Sequence, residues 1–356
     1  MSGNSDTTTM MVEQQPTVLD LFCGCGGMST GLLKANFNVV VAVDIWNKAT
    51  ETYKANHPET KVITQDISTI DPSTLLDGTN VNNIDVIVGG PPCQGFSMAG
   101  RRVAGDPRNS LFVHFIRMVN HFKPKYVIME NVQGILTMKT EDGTLVKDII
   151  LEEYKRIGYD VTHYTLNAAD YQVPQARKRV FFLGRRNDDD KDNDMPPLPV
   201  FTAPQKVNPT NHIAVGTVLL PRDNVPETAF LSERALEGIR RKREASKSKG
   251  HGFGAQILDL NKPSYTIPAR YYKDGYDALV HYEQDDKKTR RLMPIELARI
   301  QTFPEEYQFK GTRKDIIMQI GNAVPCTLAY HIANHLRLTC FTGNQGSPST
   351  PPFAIS

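Results

Sequence analysis

The first half of the chain alternates short apolar runs with segments of helical character. The runs are VLDLF from Val18, VVVAVDI from Val39, IDVIVGG from Ile84, YVIMEN from Tyr126 and VFFLGRR from Val180. Continuous Val, Ile and Leu runs separated by helices are typical of a parallel sheet that is covered on both faces. We therefore expect a doubly wound, mostly parallel α/β sheet, with ligands bound beyond the carboxyl ends of its strands.

The composition changes after residue 186. The acidic run NDDDKDND from Asn187 and the proline-rich run PPLPVFTAP from Pro196 cannot continue a packed sheet, so they predict a domain boundary. The expected organisation is a disordered tail over 1–16, a first domain over 17–186, a smaller loop-rich domain over 187–290, a return segment over 291–341 that completes the first domain, and a disordered tail over 342–356.

The overall composition is ordinary for a soluble globular protein, with 40% hydrophobic and 22% charged residues. The chain has no run of about 18 apolar residues and no apolar leader, so we expect an intracellular, soluble protein without membrane contact. Five sparse cysteines argue against a disulfide framework. Cys23 and Cys25 form a lone CxC without a second ligand pair, so no metal is expected.

A glycine-rich turn follows the first apolar run, in the block DLFCGCGG from Asp20 to Gly27. Such a turn lets the backbone approach a nucleotide-like ligand at a helix N-terminus, although similar turns serve many cofactors or none. Asp44 ends the next run, where an acid suits a ribose, and Asp66 ends a third stretch, where a carboxylate accepts from an adenine amino group. Together these features favour an adenosyl cofactor, whereas each acid alone is more typical of a strand-end cap.

The block GGPPCQGFS places Cys93 after two prolines at the end of a central strand. A single cysteine is usually buried as a small apolar residue. The polar and glycine neighbours of Cys93 do not fit burial, and a rigid loop at the expected ligand crevice favours a reactive thiolate.

The block ENV ends the next strand, so Glu130 is expected to face the same crevice as Cys93. A nucleophile and a carboxylate at neighbouring strand ends suit attack on an electron-poor ring that needs proton transfer. The block QARKR predicts Arg177 and Arg179 on one side of a strand, where they could orient the carboxylate and a ring oxygen. The alternative is an exposed edge strand that carries charge.

Six blocks together resemble the cytosine-5 DNA methyltransferases in order and spacing. They are DLFCGCGG, GGPPCQGFS, ENV, QARKR, RLMPIELARIQTFP from Arg291 and QIGNAVP from Gln319, and the resemblance spans Val18 to Leu338. It implies the S-adenosylmethionine-dependent methyltransferase fold with a smaller, irregular target-recognition domain. The cofactor-binding residues that it implies are Phe22, Gly24, Gly26, Gly27, Asp44, Ile45, Asp66, Pro92, Leu111, Asn322 and Val324.

The resemblance also implies a mechanism of methyl transfer from S-adenosylmethionine. Cys93 would add to carbon 6 of a flipped-out cytosine, Glu130 would engage ring nitrogen 3 and the amino group, and Arg179 would hold the ring oxygen. Covalent addition is needed because carbon 5 of cytosine is otherwise a poor nucleophile. Removing the base from the stack costs a few kcal/mol. Asp44 stands where the family more often has Glu, and this shorter reach to the ribose is tolerable.

Double-stranded DNA is the implied partner, and two regions are candidates for contacting it. The loop after Cys93 carries Gln94, Ser97, Arg101 and Arg108. Residues 231–250 hold seven basic side chains against three acidic ones, including Arg240, Arg241, Lys242 and Arg243, which suits phosphate contact. A solvated helix face is the alternative. The chain is expected to act as a monomer, and a companion restriction endonuclease is compatible with the resemblance.

Three rival functions fit the sequence less well. A tRNA cytosine methyltransferase of the same fold typically has PPCQPFT and a CFT block, whereas this chain has PPCQGFS and no CFT. A non-catalytic DNA-binding relative would have lost the nucleophile, the glutamate or the glycine turn. A small-molecule methyltransferase would lack both the ENV block and the recognition region. Cytosine methylation of DNA is therefore the predicted function.

Overall fold

The fold was obtained as a computed structural model. It describes residues 15–92, 110–140, 142–187, 198–207, 211–247, 256–273, 276, 278–283 and 288–341, with the side chains of 110, 242, 243 and 245–247 left out. The tails predicted over 1–16 and 342–356 lie outside these residues, except for 15 and 16. The domain boundaries at 187 and 291 stay predictions.

Successive residues of the first apolar run pack on opposite faces of a sheet, as the alternation of Cβ directions along a strand requires. Val18 joins one buried cluster, whereas Leu19 joins another. The sheet has seven strands in the order β3-β2-β1-β4-β5-β7-β6. Their bounds are β1 Thr17–Leu21, β2 Asn38–Asp44, β3 Lys61–Thr64, β4 Val86–Gly89, β5 Tyr126–Val132, β6 Tyr159–Asn167 and β7 Lys178–Arg186.

The first five strands are parallel, and β7 is antiparallel to both of its neighbours. The predicted mostly parallel α/β class is therefore confirmed. The sequence did not predict β6, because this edge strand has few buried residues and lacks a continuous apolar run. A two-stranded hairpin, β8 Leu279–Tyr282 with β9 Lys288–Arg291, lies outside the sheet.

Helices cover both faces of the sheet. Among the described residues they are α1 Gly27–Lys34, α2 Asn47–Asn56, α3 Ser110–Phe122, α4 Val146–Arg156, α5 Glu233–Lys247, α6 Pro294–Ile300, α7 Arg313–Asn322 and α8 Cys326–Leu336, followed by a π turn over Arg337–Phe341. Side chains of α3 and α4 pack on one face, and side chains of α1 and α8 pack on the other. The first domain is thus closed by a helix from the end of the chain.

A third buried cluster joins the middle of the chain to the return segment. Ile267 and Tyr271, from the predicted small domain, pack there with Leu297 and Ile320 from the return segment. Burial of apolar surface stabilises this junction by roughly 25 cal/mol per Å². The two segments consequently share one core.

One stretch, Arg313–Phe341, is long and apolar enough to cross a membrane by length and composition. Its 29 residues comprise α7, a break at 323–325, α8 and the π turn, and 67% of its most apolar window is buried inside the protein. Buried helices of globular proteins can be equally long and apolar, so the stretch is weak evidence for a membrane span.

Candidate active site

A cavity of about 670 Å³ opens at the carboxyl ends of β1, β2, β4 and β5. This is the edge at which doubly wound sheets bind ligands. Every predicted cofactor-binding residue except Gly26 lines the cavity. These residues are Phe22, Gly24, Gly27, Asp44, Ile45, Asp66, Pro92, Leu111, Asn322 and Val324.

The glycine turn shapes one wall of the cavity through its backbone. Phe22, Gly24 and Gly26 all have positive φ, at 59°, 54° and 93°. A Cβ atom on Gly26 would lie 2.7 Å from both Nε2 of His57 and the hydroxyl of Tyr307. Gly26 therefore allows α1 and its neighbours to pack closely behind the turn, and its role in cofactor binding stays a prediction.

Asp44 fixes the glycine turn from the neighbouring strand. Its carboxylate accepts hydrogen bonds from the backbone N–H of Gly24 and of Trp46, each at 2.8 Å. Burial raises the pKa of Asp44, and these backbone donors partly oppose the rise. Asp44 thus caps a strand end and also faces the cavity.

Asp66 shows the same combination at the end of β3. Its Oδ1 atom accepts from the backbone N–H of Ser68 at 2.8 Å, which lowers the pKa of the carboxyl. The side chain also lines the cavity. The same cavity is lined by Ile45, an apolar side chain that is 68% exposed.

Asn131 ties the loop after β4 to the end of β5. Its Nδ2 donates to the carbonyl of Pro91 at 3.0 Å, and its Oδ1 accepts from the N–H of Val132 at 2.9 Å. The residue is buried and lines the cavity. The sequence prediction missed this role, although Asn131 is the central residue of the ENV block.

Glu130 and Arg179 form an ion pair at the cavity. Arg179 Nε lies 3.0 Å from Glu130 Oε1, and the side chains are 14% and 15% exposed. Burial raises the pKa of the Glu130 carboxyl, while the charges of Arg179 and Arg177 lower it in part. The site therefore holds a carboxyl group whose proton affinity is increased in the resting protein.

Arg177 differs from its prediction. It precedes β7, is only 1% exposed, and donates to the carbonyls of Ile267 and Gly321 at 3.1 and 2.9 Å. Burial lowers its pKa to about 9. These contacts differ from the predicted contact with the carboxylate. The charge of Arg177 nevertheless lowers the pKa of Glu130, so its part in orienting the carboxylate stays a prediction.

The predicted nucleophile Cys93 and the loop residues Gln94, Ser97, Arg101 and Arg108 lie outside the described residues. Pro91 and Pro92 are described, and both line the cavity. A Cβ atom on Gly90 would lie 3.0 Å from Glu130 Oε2, so the chain leading to Cys93 passes against the glutamate.

Comparison with known proteins decides the family. A family model described as C-5 cytosine-specific DNA methylase matches residues 16–337. This chain belongs to that family. The enzyme class expected from the six sequence blocks, a DNA (cytosine-5) methyltransferase, is confirmed.

Relatives of this methylase include named bacterial enzymes. It is 37% identical to the Type II methyltransferase M.DdeI of Desulfomicrobium norvegicum, over 90% of this chain and 88% of that protein. It is 35% identical to the Type II methyltransferase M1.HphI of Haemophilus parahaemolyticus, over 89% and 85%.

Two solved structures also resemble the methylase. A Spodoptera frugiperda DNMT2 mutant matches with a TM-score of 0.70 and 21% identity, over 90% of this chain and 99% of that chain. The S. pombe Dnmt2 methyltransferase matches with a TM-score of 0.67 and 20% identity, over 91% and 99%. At these identities the likeness establishes the fold alone.

The methylase also has a buried acid that the sequence prediction missed. Asp20 lines the cavity yet is only 1% exposed, and Ser29 donates to it at 2.5 Å. Tyr53 in turn donates to the Ser29 hydroxyl at 2.6 Å. Burial raises the pKa of Asp20 to about 7. An acid inside the apolar run VLDLF was the available signal, because strand residues buried on both faces are seldom charged.

The two cysteines of the glycine turn are buried thiols. Burial raises the pKa of Cys23 well above its ordinary value and that of Cys25 to about 12. A thiolate is the nucleophilic form of cysteine, so neither residue suits attack on a substrate. Within the ranges that the structure covers, no group of three His, Cys, Asp or Glu side chains could hold a metal ion.

The four predicted phosphate-binding residues Arg240 to Arg243 lie on helix α5. Arg240 and Arg241 are exposed, and Arg241 lies 4.0 Å from Glu237. The side chains of Lys242 and Arg243 are not among those described. Exposed cations on a helix fit both phosphate contact and a solvated face, so DNA binding by α5 remains a prediction.

Proposed function

We propose that this methylase transfers the methyl group of S-adenosylmethionine to carbon 5 of a flipped-out cytosine in a specific double-stranded DNA sequence, through a covalent intermediate on Cys93. The observation that carries this proposal is Glu130, which is paired with Arg179 and lines the same cavity as the glycine turn and Pro92. Pro92 immediately precedes Cys93 in the sequence.

The cavity suits an adenosyl cofactor by the chemistry of its lining. Ile45 is an apolar side chain that is 68% exposed, and a planar base stacked on it would cover that surface. Asp66 and Asp44 both line the cavity, and in this proposal Asp66 accepts from an exocyclic amino group and Asp44 from ribose hydroxyls. The helix α1 begins at Gly27 and directs unpaired backbone N–H groups toward the turn. S-adenosylmethionine, when bound, supplies an electrophilic methyl group.

The side chains of the site supply the activation of cytosine. The sulfur of Cys93 bonds to carbon 6 while Glu130 shares a proton with ring nitrogen 3. This proton neutralises the negative charge that the thiolate brings to the ring. Carbon 5 then becomes nucleophilic and takes the methyl group. Loss of the proton on carbon 5 to a base and breaking of the bond between sulfur and carbon 6 restore the ring and the thiolate.

The electrostatics of Glu130 support this role. A carboxyl with its pKa raised by burial holds a proton closer to neutral pH, which suits a general acid. Arg179 keeps the carboxylate in one orientation and donates from Nη1 to the Lys178 carbonyl at 2.8 Å. A further N–H of its guanidinium would donate to the ring oxygen of cytosine. Asn131 holds the Pro91 carbonyl, so the loop before Cys93 has a fixed starting point.

Double-stranded DNA is the substrate partner in this account, and the exposed cations of α5 are the candidate phosphate contacts. We further propose that the methylase acts as a monomer and that a restriction endonuclease accompanies it. The names of its relatives, which are Type II methyltransferases, support the second point.

Expression in a host without cytosine methylation, followed by bisulfite sequencing of the resident plasmid, tests the proposal. Methylated cytosines resist conversion, so we expect one recurrent sequence to retain its cytosine. The Cys93→Ser variant, expressed to the same level, should leave every cytosine convertible. Complete conversion with folded wild-type protein, or methylation found in RNA instead of plasmid DNA, would contradict the proposal.

A further inference from the structure

We infer that a buried polar bridge of Gln175, Arg177 and Gln301 couples the cofactor cavity to the end of the target-recognition region, so that a ligand at one site alters the other. This inference rests on the proposed function, because it concerns the same cavity and the same region. The three residues act as positioning residues.

One end of the bridge holds both backbone groups of a single residue, Ile267. Its N–H donates to Gln175 Oε1 at 3.0 Å, and its carbonyl accepts from Arg177 Nη1 at 3.1 Å. Ile267 is fully buried and lies near the end of residues 187–290, the range predicted for the target-recognition domain. This part of the region is therefore held at a fixed distance from β7.

The other end holds the wall of the cofactor cavity. Gln175 Nε2 donates to Gln301 Oε1 at 3.0 Å, and Gln301 Nε2 donates to the carbonyls of Ile320 and Ala323 at 2.7 and 3.2 Å. Arg177 Nη2 donates to the carbonyl of Gly321 at 2.9 Å. The residues that follow Gly321, from Asn322 to Val324, line the cavity.

The bridge is buried from solvent, and this burial makes it resistant to deformation. Gln175 and Gln301 are 0% exposed and Arg177 is 1% exposed. A buried polar group that loses its partner has no water to replace it, so breaking one of these bonds is unfavourable, most of all for the charged guanidinium. A displacement of the cavity wall therefore moves the segment around Ile267 as well, since the bridge between them does not deform easily.

Direct backbone packing reinforces the connection. A Cβ atom on Gly321 would lie 2.5 Å from both the Cα and the N atom of Ala269, two residues after Ile267. Glycine allows the end of α7 to lie directly against the recognition segment. The cavity wall and that segment thus meet without an intervening side chain that could yield.

Coupling between two sites is reciprocal for binding. If a bound cofactor fixes the wall from Asn322 to Val324, it also fixes Ile267, and DNA bound by the recognition region favours the cofactor-bound shape by the same factor. Couplings of this kind typically amount to roughly 5–150-fold in affinity. The bridge would then favour binding of cofactor and DNA together.

Amide hydrogen exchange with and without S-adenosylhomocysteine tests the inference without knowledge of the DNA sequence. In the wild-type protein, saturating ligand should slow exchange about fivefold or more in the glycine turn and also in residues 262–272. Gln301→Met keeps the length of the side chain but removes its hydrogen bonds. In this variant the turn should still be protected by the ligand, while the ligand-dependent protection of 262–272 should disappear.

Tyr159→Phe is the matched control, because it removes one buried hydrogen bond, to the Pro124 carbonyl, at the far end of the sheet. Both protections should persist in it. Arg177→Lys, which cannot hold both carbonyls with a planar fork, provides a second variant if Gln301→Met does not fold, and it should reduce the same difference. A purely structural role predicts faster exchange at 262–272 with an unchanged ligand effect, and that result would overturn the inference.

Failure of the proposed function has a different signature. If wild-type protein does not bind S-adenosylhomocysteine, the cofactor assignment falls and the coupling falls with it. If it binds and protects the glycine turn but leaves 262–272 unaffected, only the coupling is wrong.

Discussion

Arg179 Nε lies 3.0 Å from Glu130 Oε1, across the antiparallel pair that β7 forms with β5. Arg179 is directly opposite Val132, so the two partners lie two positions apart along the register. The pair is largely shielded from water, and Glu130 lines the cavity in which the cytosine is proposed to bind. We therefore expect the carboxylate and the guanidinium to act as a unit.

Glu130→Gln should lower the rate of methyl transfer by about two orders of magnitude or more, the usual scale for loss of a general acid. The amide preserves the shape but cannot share a proton with ring nitrogen 3. The affinity for S-adenosylhomocysteine, measured by calorimetry, should stay near that of the wild type. Glu153→Gln, on the solvent side of α4 beside Arg156, is the control and should be fully active. A wild-type rate for Glu130→Gln would remove this residue from the mechanism.

Arg179→Met should change the pH dependence of the reaction. Its positive charge lowers the pKa of Glu130, so its removal should raise that pKa further. The limb of the pH–rate profile that reports Glu130 should therefore move to higher pH, and the rate should fall about tenfold or more because the ring oxygen loses a charged donor. The double variant with Glu130→Gln should lack this limb. An unmoved limb in the single variant would show that the ion pair does not govern the titration.

Asp20→Asn should flatten the dependence of stability on pH. The pKa of Asp20 is raised from 3.8 to about 7, so the folded state binds the proton more tightly than the unfolded state. Its contribution is present below about pH 4 and is lost as the pH rises to about 7, a difference on the order of 4 kcal/mol at most. Denaturant unfolding between pH 4 and 8 should show that the free energy of unfolding of the variant increases relative to that of the wild type as the pH rises. Asp77→Asn, at an exposed position, is the control; a constant difference between Asp20→Asn and the wild type would contradict the account.

The sequence could predict the parts of the site that depend on strand order. Asp44, Asp66 and Glu130 lie at or within two residues of the carboxyl ends of β2, β3 and β5. Because parallel strand ends meet at one edge, their common cavity follows from the apolar pattern. The spacing of Arg177 and Arg179 was less informative. Side chains two residues apart share a face only where both residues belong to one strand. Because β7 begins at Lys178, Arg177 lies outside it.

Contacts between distant segments were beyond the reach of the pattern. Asn131 donates to Pro91, and Gln301 accepts from Gln175, which is 126 residues away. Such pairs depend on the packing of one segment against another, which neither propensity nor periodicity specifies. The edge strand β6 was missed for a related reason, because its side chains are mostly not buried.

Replacing Arg240, Arg241, Lys242 and Arg243 with Ala should weaken DNA binding and flatten its dependence on salt. Each lost phosphate contact should reduce the slope of log affinity against log salt by about 0.9. The methylated sequence should not change, because phosphate contacts position the protein without reading bases. Titration of a labelled duplex at several salt concentrations provides the measurement. Lys155→Ala with Arg156→Ala on α4 is the control, and an unchanged slope in the quadruple variant would identify α5 as a solvated face.

Covalent trapping on DNA tests the central claim most directly. A duplex carrying 5-fluorocytosine at the target site is incubated with the protein and S-adenosylmethionine, then analysed by denaturing electrophoresis. Fluorine on carbon 5 cannot leave as a proton does, so the wild type should remain bonded to the DNA through Cys93. Cys93→Ser should form no such complex while keeping the wild-type fold. Methylation of ordinary cytosine by the wild type without any trapped complex would contradict the covalent mechanism.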